Sequence, residues 1–372
     1  MRHLALVTAS ALLAIPALAA MPETASTQAG PVRVVTVAKG LEHPWGFAFL
    51  PDGRMLVSER PGRLRLVAPD GTVSPPLGNV PAVYHRGQGG LLDVALDPDF
   101  ARNSRIYFTY AEPGEGGAGT ALASARLAGD RLETVTVLFR QQPKTGGGNH
   151  FGSRVVVGRD GMLWLGLGER YQRDEAQDLS NYLGKVIRIA RDGSVPPDNP
   201  FVGRAGARPE IWSYGHRNIQ GMAINPQTGA VWLHEHGPRG GDEVNTPQAG
   251  RNYGWPVITY GIDYSGEKIG IGTAAPGMEQ PLLHWTPSIA PAGMAFYTGG
   301  KLPAWTGNLF VGSLKFGSLH RVVLDGTRVV AQEQLLREVG ENIRDVRDGP
   351  DGYLYLATDN AEGRILRIEP AI

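Results

Sequence analysis

Short apolar strands recur in pairs along this chain, each pair split by a turn bearing Pro, Asp, Asn or Gly, and the second strand is the more apolar. The first copy runs Trp45–Leu50, turns at Pro51-Asp52-Gly53 and resumes at Met55–Ser58. The next three are Leu92–Leu96 with Ile106–Thr109, Ser153–Val157 with Leu163–Gly168, and Gln220–Ile224 with Ala230–Leu233. The last two are Ala292–Tyr297 with Asn308–Gly312, across a longer turn, and Ile343–Arg347 with Tyr353–Ala357. Each copy reads as an antiparallel hairpin. The copies lie about 45 to 70 residues apart, which leaves room for two further strands in each unit, the period of propeller blades. Six copies predict an all-β, six-bladed β-propeller. The strand Pro31–Ala38 is expected to complete the blade begun by the last copy. No amphipathic helical stretch separates the strands, so a parallel α/β fold is excluded.

Composition sharpens this picture. Of 372 residues, 51 are glycine, roughly twice the usual share, and 28 are proline, as many short strands and tight turns require. There is no cysteine, which removes disulfides, thiolate metal sites and cysteine nucleophiles. Lys plus Arg number 36 and Asp plus Glu 36, a neutral balance that gives no reason to expect nucleic acid or an anionic membrane as partner. Met1-Arg2-His3 followed by the apolar run Leu4–Leu18 and Ala17-Leu18-Ala19 reads as a secretory signal peptide over residues 1–20. The mature chain, 21–372, is expected to be one domain in the periplasm or outside the cell, not membrane-spanning once the signal is cleaved. Extra residues between the third and fifth copies are expected to form loops on one face, where function concentrates.

Polar, Gly-rich clusters stand at the starts of the copies and converge on the channel mouth. His150, among glycines, suits a general base, or alternatively a turn histidine. Arg217-Asn218 could clamp a planar anion or could link blades. In His234-Glu235-His236 the two imidazoles share one strand face and the carboxylate points away, which disfavours zinc. The Gly237-Pro238 turn, leading to Asp242-Glu243, offers carbonyls and carboxylates suited to calcium or is an acidic solvated turn. Lys315 and Arg344 recur at equivalent positions and, with Arg217, would put three cations around one mouth.

Three runs carry a resemblance: Gly148-Asn149-His150-Phe151-Gly152; Ser213 to Gly221; and Glu235 to Glu243 with Asn252-Tyr253-Gly254-Trp255-Pro256. They closely resemble the soluble quinoprotein sugar dehydrogenases, the glucose/sorbosone dehydrogenase family, in its branch of aldose sugar dehydrogenases using pyrroloquinoline quinone (PQQ). The resemblance spans about Val34 to Ile368 and implies a six-bladed propeller. It implies His150 as the base at the anomeric hydroxyl, and Arg217, Asn218 and Gln88 beside the quinone oxygens. Lys315 and Arg344 would face PQQ carboxylates. One calcium would sit on the carbonyls of Gly237 and Pro238, and a second, structural one on Glu243 and the carbonyl of Tyr253. The product would be an aldonolactone, with electrons passed to an external acceptor. Two departures stand out. Asn149 replaces an aspartate beside the base, leaving an amide to orient the imidazole. Asn342 replaces an arginine, removing one carboxylate partner. The alternative is a calcium-dependent propeller lactonase or esterase without a redox cofactor.

Overall fold

In each blade the strand nearest the axis is short and opens with residues buried from solvent, because its first half is pressed against the neighbouring inner strands. The six inner strands are Pro44–Phe49, Leu91–Leu96, Gly152–Val157, Ile219–Ile224, Pro291–Phe296 and Ile343–Asp348. They head six separate antiparallel sheets, numbered here as blades 1 to 6 in that order. Each packs against the inner strand of the next blade, closing a six-bladed propeller ring. The structure is a computed structural model and describes residues 24–371; the segment read as a signal peptide lies outside these residues.

The expected ring closure is present. Val32–Leu41 pairs antiparallel with Gly363–Pro370, from Val32 opposite Pro370 to Leu41 opposite Gly363, and becomes the fourth strand of blade 6. The four-strand expectation needs adjustment at the two blades that flank this seam. Blade 1 has three strands, and blade 6 gains a fifth, Thr24–Ala25. After the third strand of blade 1 the chain makes a single bridge, Val67 to Val73, and then crosses to blade 2, where Gly78 bridges Arg131. Helix among the described residues is confined to Phe100–Asn103 and three short 3-10 turns.

Every inner strand carries a register shift near its start, such as Pro44/Gly46 in blade 1 and Ile343/Asp345 in blade 6. A bulge at the rim re-aims the side chains that follow. The core fills the spaces between blades. Trp232 and Val244 of blade 4 pack with Met294, Phe296 and Val311 of blade 5, all buried.

Arg154 fills the axis. It is buried, and its guanidinium stacks 4.1 Å over Trp45 of blade 1. It pairs with Asp93 of blade 2 at 3.3 Å and Asp345 of blade 6 at 3.0 Å. It also donates to the carbonyls of Gln220 in blade 4, at 2.8 Å, and Arg344 in blade 6, at 2.9 Å. Counting its own strand, one side chain joins five blades. Arg347 closes the network on the same two aspartates, at 2.7 and 2.8 Å.

Candidate active site

The loops expected between the third and fifth copies do lie on one face. One follows the second strand of blade 3 and begins at Glu169-Arg170-Tyr171; the other interrupts blade 4 between Asn245 and Leu283. Together they wall a 170 Å³ pocket lined by Glu169, Tyr171, Arg173, Arg217, Pro238, Trp255, Asp263, Tyr264 and Ile269. A second, tighter pocket nearer the axis is lined by Trp45, Gln88, Phe151, Gly152, Gln220, His236, Leu314 and Arg344.

His150 stands just before the inner strand of blade 3 and is 5% exposed. Its Nδ1 lies 2.5 Å from Glu169 Oε2, and its backbone N–H donates to Gln88 Oε1 at 2.9 Å. A carboxylate accepts only, so Nδ1 carries the hydrogen and Nε2 keeps its lone pair. Burial pulls the His150 pKa below its ordinary value and outweighs the opposing pull of Glu169; Arg217 and Arg170 add to the lowering. The expectation that Asn149 orients this ring is corrected. Asn149 is exposed, and the orienting group is Glu169.

Strain gathers at this point. His150, Ser153, Arg170 and Tyr171 all have positive φ, at 54°, 94°, 56° and 64°. The hairpin is also too tight for side chains: a Cβ on Gly168 would come within 2.1 Å of the His150 carbonyl. Arg170 holds the loop by donating to the carbonyls of Asn149 and Gly147 and by stacking 3.6 Å over Phe151. Tyr171, 57% exposed, leans on the His150 ring at 5.0 Å between centroids.

Arg217 and Asn218 occupy the equivalent place in blade 4. Arg217 Nη1 donates to the Gly237 carbonyl at 2.7 Å, and its guanidinium lies 5.2 Å over the Trp255 ring. Asn218 Oδ1 accepts from the Gly152 N–H at 3.0 Å. Arg217 Nε, Asn218 Nδ2 and Trp255 Nε1 are buried donors with no partner. Arg217 and Trp255 line the outer pocket, where buried donors without partners suit an acceptor-rich ligand.

The other expected residues divide. Gln88 and Arg344 meet in the inner pocket, which Arg217 does not line but whose lining residue His236 it touches, Nη1 to carbonyl, at 3.2 Å. Arg344 is bound to Asp359 at 2.5 Å, which offsets its charge, and touches Gln220 Oε1 at 3.2 Å. The mouth therefore does not hold three free cations. Lys315 is exposed and lies over Phe316. Glu243 faces Glu235 across the blade 4 ladder; burial and that neighbouring charge push its carboxyl well above the usual carboxylate range. Tyr253 stacks on His216 at 4.7 Å. Asp242 shapes the Gly237 turn, accepting from the Gly237 N–H at 2.9 Å and the Ile289 N–H at 2.7 Å. His234 and His236 each meet a carbonyl of blade 5, Gly293 at 3.0 Å and Pro291 at 2.7 Å. Among the described residues no three His, Asp or Glu side chains group as a metal site.

Sequence reasoning missed Glu169, Tyr171 and Tyr264. Hairpin register could have found the first. Gly152 pairs with Leu167, so continuing the ladder sets His150 opposite Glu169. By the same step Ile219 pairs with Glu235, and Arg217 falls opposite Gly237.

The chain can now be placed among known proteins. Residues 41–367 match the family model described as Glucose / Sorbosone dehydrogenase. The chain is 50% identical over 346 residues to aldose sugar dehydrogenase YliI of Escherichia coli K12, covering 91% of this chain and 93% of that one. A crystal structure of a glucose dehydrogenase superposes with a TM-score of 0.89 at 55% identity, over 90% of this chain and 98% of the other. The PQQ-bound form of an aldose sugar dehydrogenase from Streptomyces coelicolor superposes with a TM-score of 0.77 at 31% identity, over 94% and 99%. The chain thus belongs to the glucose/sorbosone dehydrogenase family, a family of sugar oxidoreductases on the six-bladed propeller.

Proposed function

We propose that the protein oxidises aldose sugars at C1 to aldonolactones, using PQQ and calcium and passing electrons to an external acceptor. The observation that carries this reading is the pair of unpartnered buried donors Arg217 Nε and Trp255 Nε1, on residues that line one pocket with Glu169, the partner of buried His150; Asn218 Nδ2 is a third unpartnered donor. Such donors suit the quinone and carboxylate oxygens of PQQ. When bound, PQQ supplies an acceptor for the hydride of the sugar C1. Arg217 and Asn218 would hold its oxygens, with Gln88 and Arg344 on the inner side and Lys315 at the rim.

The chain's own residues supply the rest. His150 Nε2 takes the proton of the anomeric hydroxyl, while Glu169 fixes the ring through Nδ1 and steadies the imidazolium. Tyr171, Trp255 and Tyr264 offer aromatic faces to the sugar, and the Arg173–Asp263 pair, 3.5 Å apart, ties the two loops across the pocket. Calcium would suit the carbonyls of Gly237 and Pro238, hard oxygen donors; Pro238 lines the pocket with Arg217, and the Gly237 oxygen would share its remaining lone pair while accepting from Arg217 Nη1 at 2.7 Å. A second calcium on Glu243 and the Tyr253 carbonyl would relieve the two facing carboxylates. A signal over residues 1–20 would send the protein to the periplasm; no described helix is long and apolar enough to cross a membrane.

A serine-nucleophile form of the hydrolase reading finds no support; the calcium-dependent form is separated by the reconstitution test below. Ser213 Oγ lies 2.9 Å from His216 Nε2, and His216 Nδ1 lies 2.8 Å from Glu235, the order of a Ser-His-acid relay. Ser213 and His216 are both 0% exposed, so no ester carbonyl can reach that hydroxyl.

The test is reconstitution. Protein stripped of PQQ should lack dye-linked aldose oxidation and gain it with PQQ plus calcium, while NAD does nothing. Full activity after stringent removal of PQQ would refute the proposal. Glu169→Gln should cut turnover by about tenfold, since an amide orients the ring without stabilising its cation. It should also move the acid limb of the rate to lower pH, because the charge that raises the His150 pKa is gone. An unmoved limb would place the base elsewhere.

A further inference from the structure

The propeller's internal symmetry draws attention to one position, the residue directly after the second strand of a blade. Those strands end at Glu59, Glu235, Ser313 and Thr358 in blades 1, 4, 5 and 6. The next residues are Arg60, His236, Leu314 and Asp359. All four make the same backbone bond to the residue just before or near the inner strand. Arg60 N–H donates to His43 O at 3.0 Å, His236 to Asn218 at 3.0 Å, Leu314 to Ala290 at 3.0 Å and Asp359 to Asn342 at 2.8 Å. His236 and Leu314 line the inner pocket, and Asp359 binds that pocket's Arg344. Arg60 stands at the matching backbone position in blade 1; it is not itself a lining residue of the inner pocket, but its Nη1 reaches the carbonyl of Gly87, next to the lining residue Gln88.

Its charge state differs from that of its neighbour. Arg344 gives Nε and Nη2 to Asp359 and Nη1 to Gln220, so its charge is matched and its donors are largely engaged. Asp359 also receives His43 Nδ1 at 2.7 Å. Arg60 has no carboxylate within ion-pair distance among the described residues. Its Nη1 donates to the Gly87 carbonyl at 2.5 Å, and its Nε is buried without a partner. It lies near enough to Arg344 and Asp359 for their charges to act on it. Asn342, the position where the resemblance leads one to expect a second arginine, is exposed and carries no charge.

We propose that Arg60, at the edge of the inner pocket beside Gln88, is the second cation near Arg344 and binds a carboxylate of the cofactor, where position 342 supplies no charge. This rests on the PQQ reading and adds a residue to it. The alternative role for Arg60 is to hold the loop of Gln88 through the Gly87 carbonyl.

Equilibrium binding of PQQ, followed by quenching of the protein's fluorescence, separates the two. In low salt, Arg60→Gln should weaken PQQ binding by about tenfold, the scale of one charge-assisted contact, and Arg60→Lys should recover most of it. At about 1 M salt, where screening acts beyond roughly 3 Å, the gap between wild type and Arg60→Gln should narrow. Equal affinity of wild type and Arg60→Gln in low salt would overturn the proposal. A loss that stays the same at high salt and is not recovered by lysine would overturn it in favour of the loop-holding role. Wild-type protein that binds no PQQ would overturn the cofactor reading itself, a result distinct from either of these.

Discussion

His150→Ala should lower turnover by roughly 100-fold or more, the usual scale for losing a positioned general base, while PQQ affinity stays near that of the wild type. In the proposed reaction hydride would leave C1 only as the hydroxyl proton leaves, and His150 Nε2 is the acceptor the geometry offers once Nδ1 is committed to Glu169. The pH profile carries the same information. The base works when neutral, and burial holds its pKa below the ordinary histidine value. The wild-type rate should therefore hold as pH falls to about 6.5 and drop only below it. The alanine variant should lose that acid limb. If it keeps wild-type turnover and the same limb, another residue is the base.

Arg154→Met should destabilise the fold by about 3–5 kcal/mol, the cost of leaving buried charges without their partner. Asp93 and Asp345 are each 1% exposed and would keep only Arg347 as a charged partner, whose side chain is 22% exposed. The carbonyls of Gln220 and Arg344 would lose their donor as well, so cofactor affinity should fall together with stability. Urea unfolding followed by fluorescence gives the first quantity. A loss under about 1 kcal/mol would mean that the ring holds without its axial arginine, as a well-packed apolar replacement sometimes permits. Arg154→Lys, which keeps the charge but loses the fork of donors, should fall between the two.

The fold was legible because each blade repeats one phrase, and a strand buried on its inner half writes itself as a short apolar run before a Gly or Pro turn. His150, Arg217 and Asn218 were legible for a related reason, since they stand at the bulged starts of inner strands, where glycines let the backbone fold tightly. Glu169 was not. Its partner is 19 residues away, joined by a hairpin whose register shifts between Gly152 and Val155, and only that register brings the two opposite. Asp359 was missed in the same way, 15 residues beyond the Arg344 it neutralises. Positive charge can be counted in a sequence, but its cancellation depends on which strands become neighbours. Blade 1's missing fourth strand left no mark either, because the segment after Val73 is turn-rich and apolar enough to pass for an edge strand.

The seam in blade 6 also dictates an order of assembly. Arg33 meets Glu369 across 336 residues of chain. Bringing two ends that far apart together costs roughly 5 kcal/mol in chain entropy, by the logarithmic growth of loop closure. The hydrogen bonds of one eight-residue pairing, at about 1 kcal/mol each, offset that closure but not the ordering of the paired residues, at about 1–2 kcal/mol each. Val32–Leu41 can therefore settle only when Ile343–Asp348 and Leu354–Thr358 already offer it a sheet through Gly363–Pro370. Those strands also deliver Arg344, Asp345 and Asp359. The clasp that shuts the ring and the arginine-bearing wall of the inner pocket are consequently one late folding unit, and the proposed cofactor would meet a finished ring.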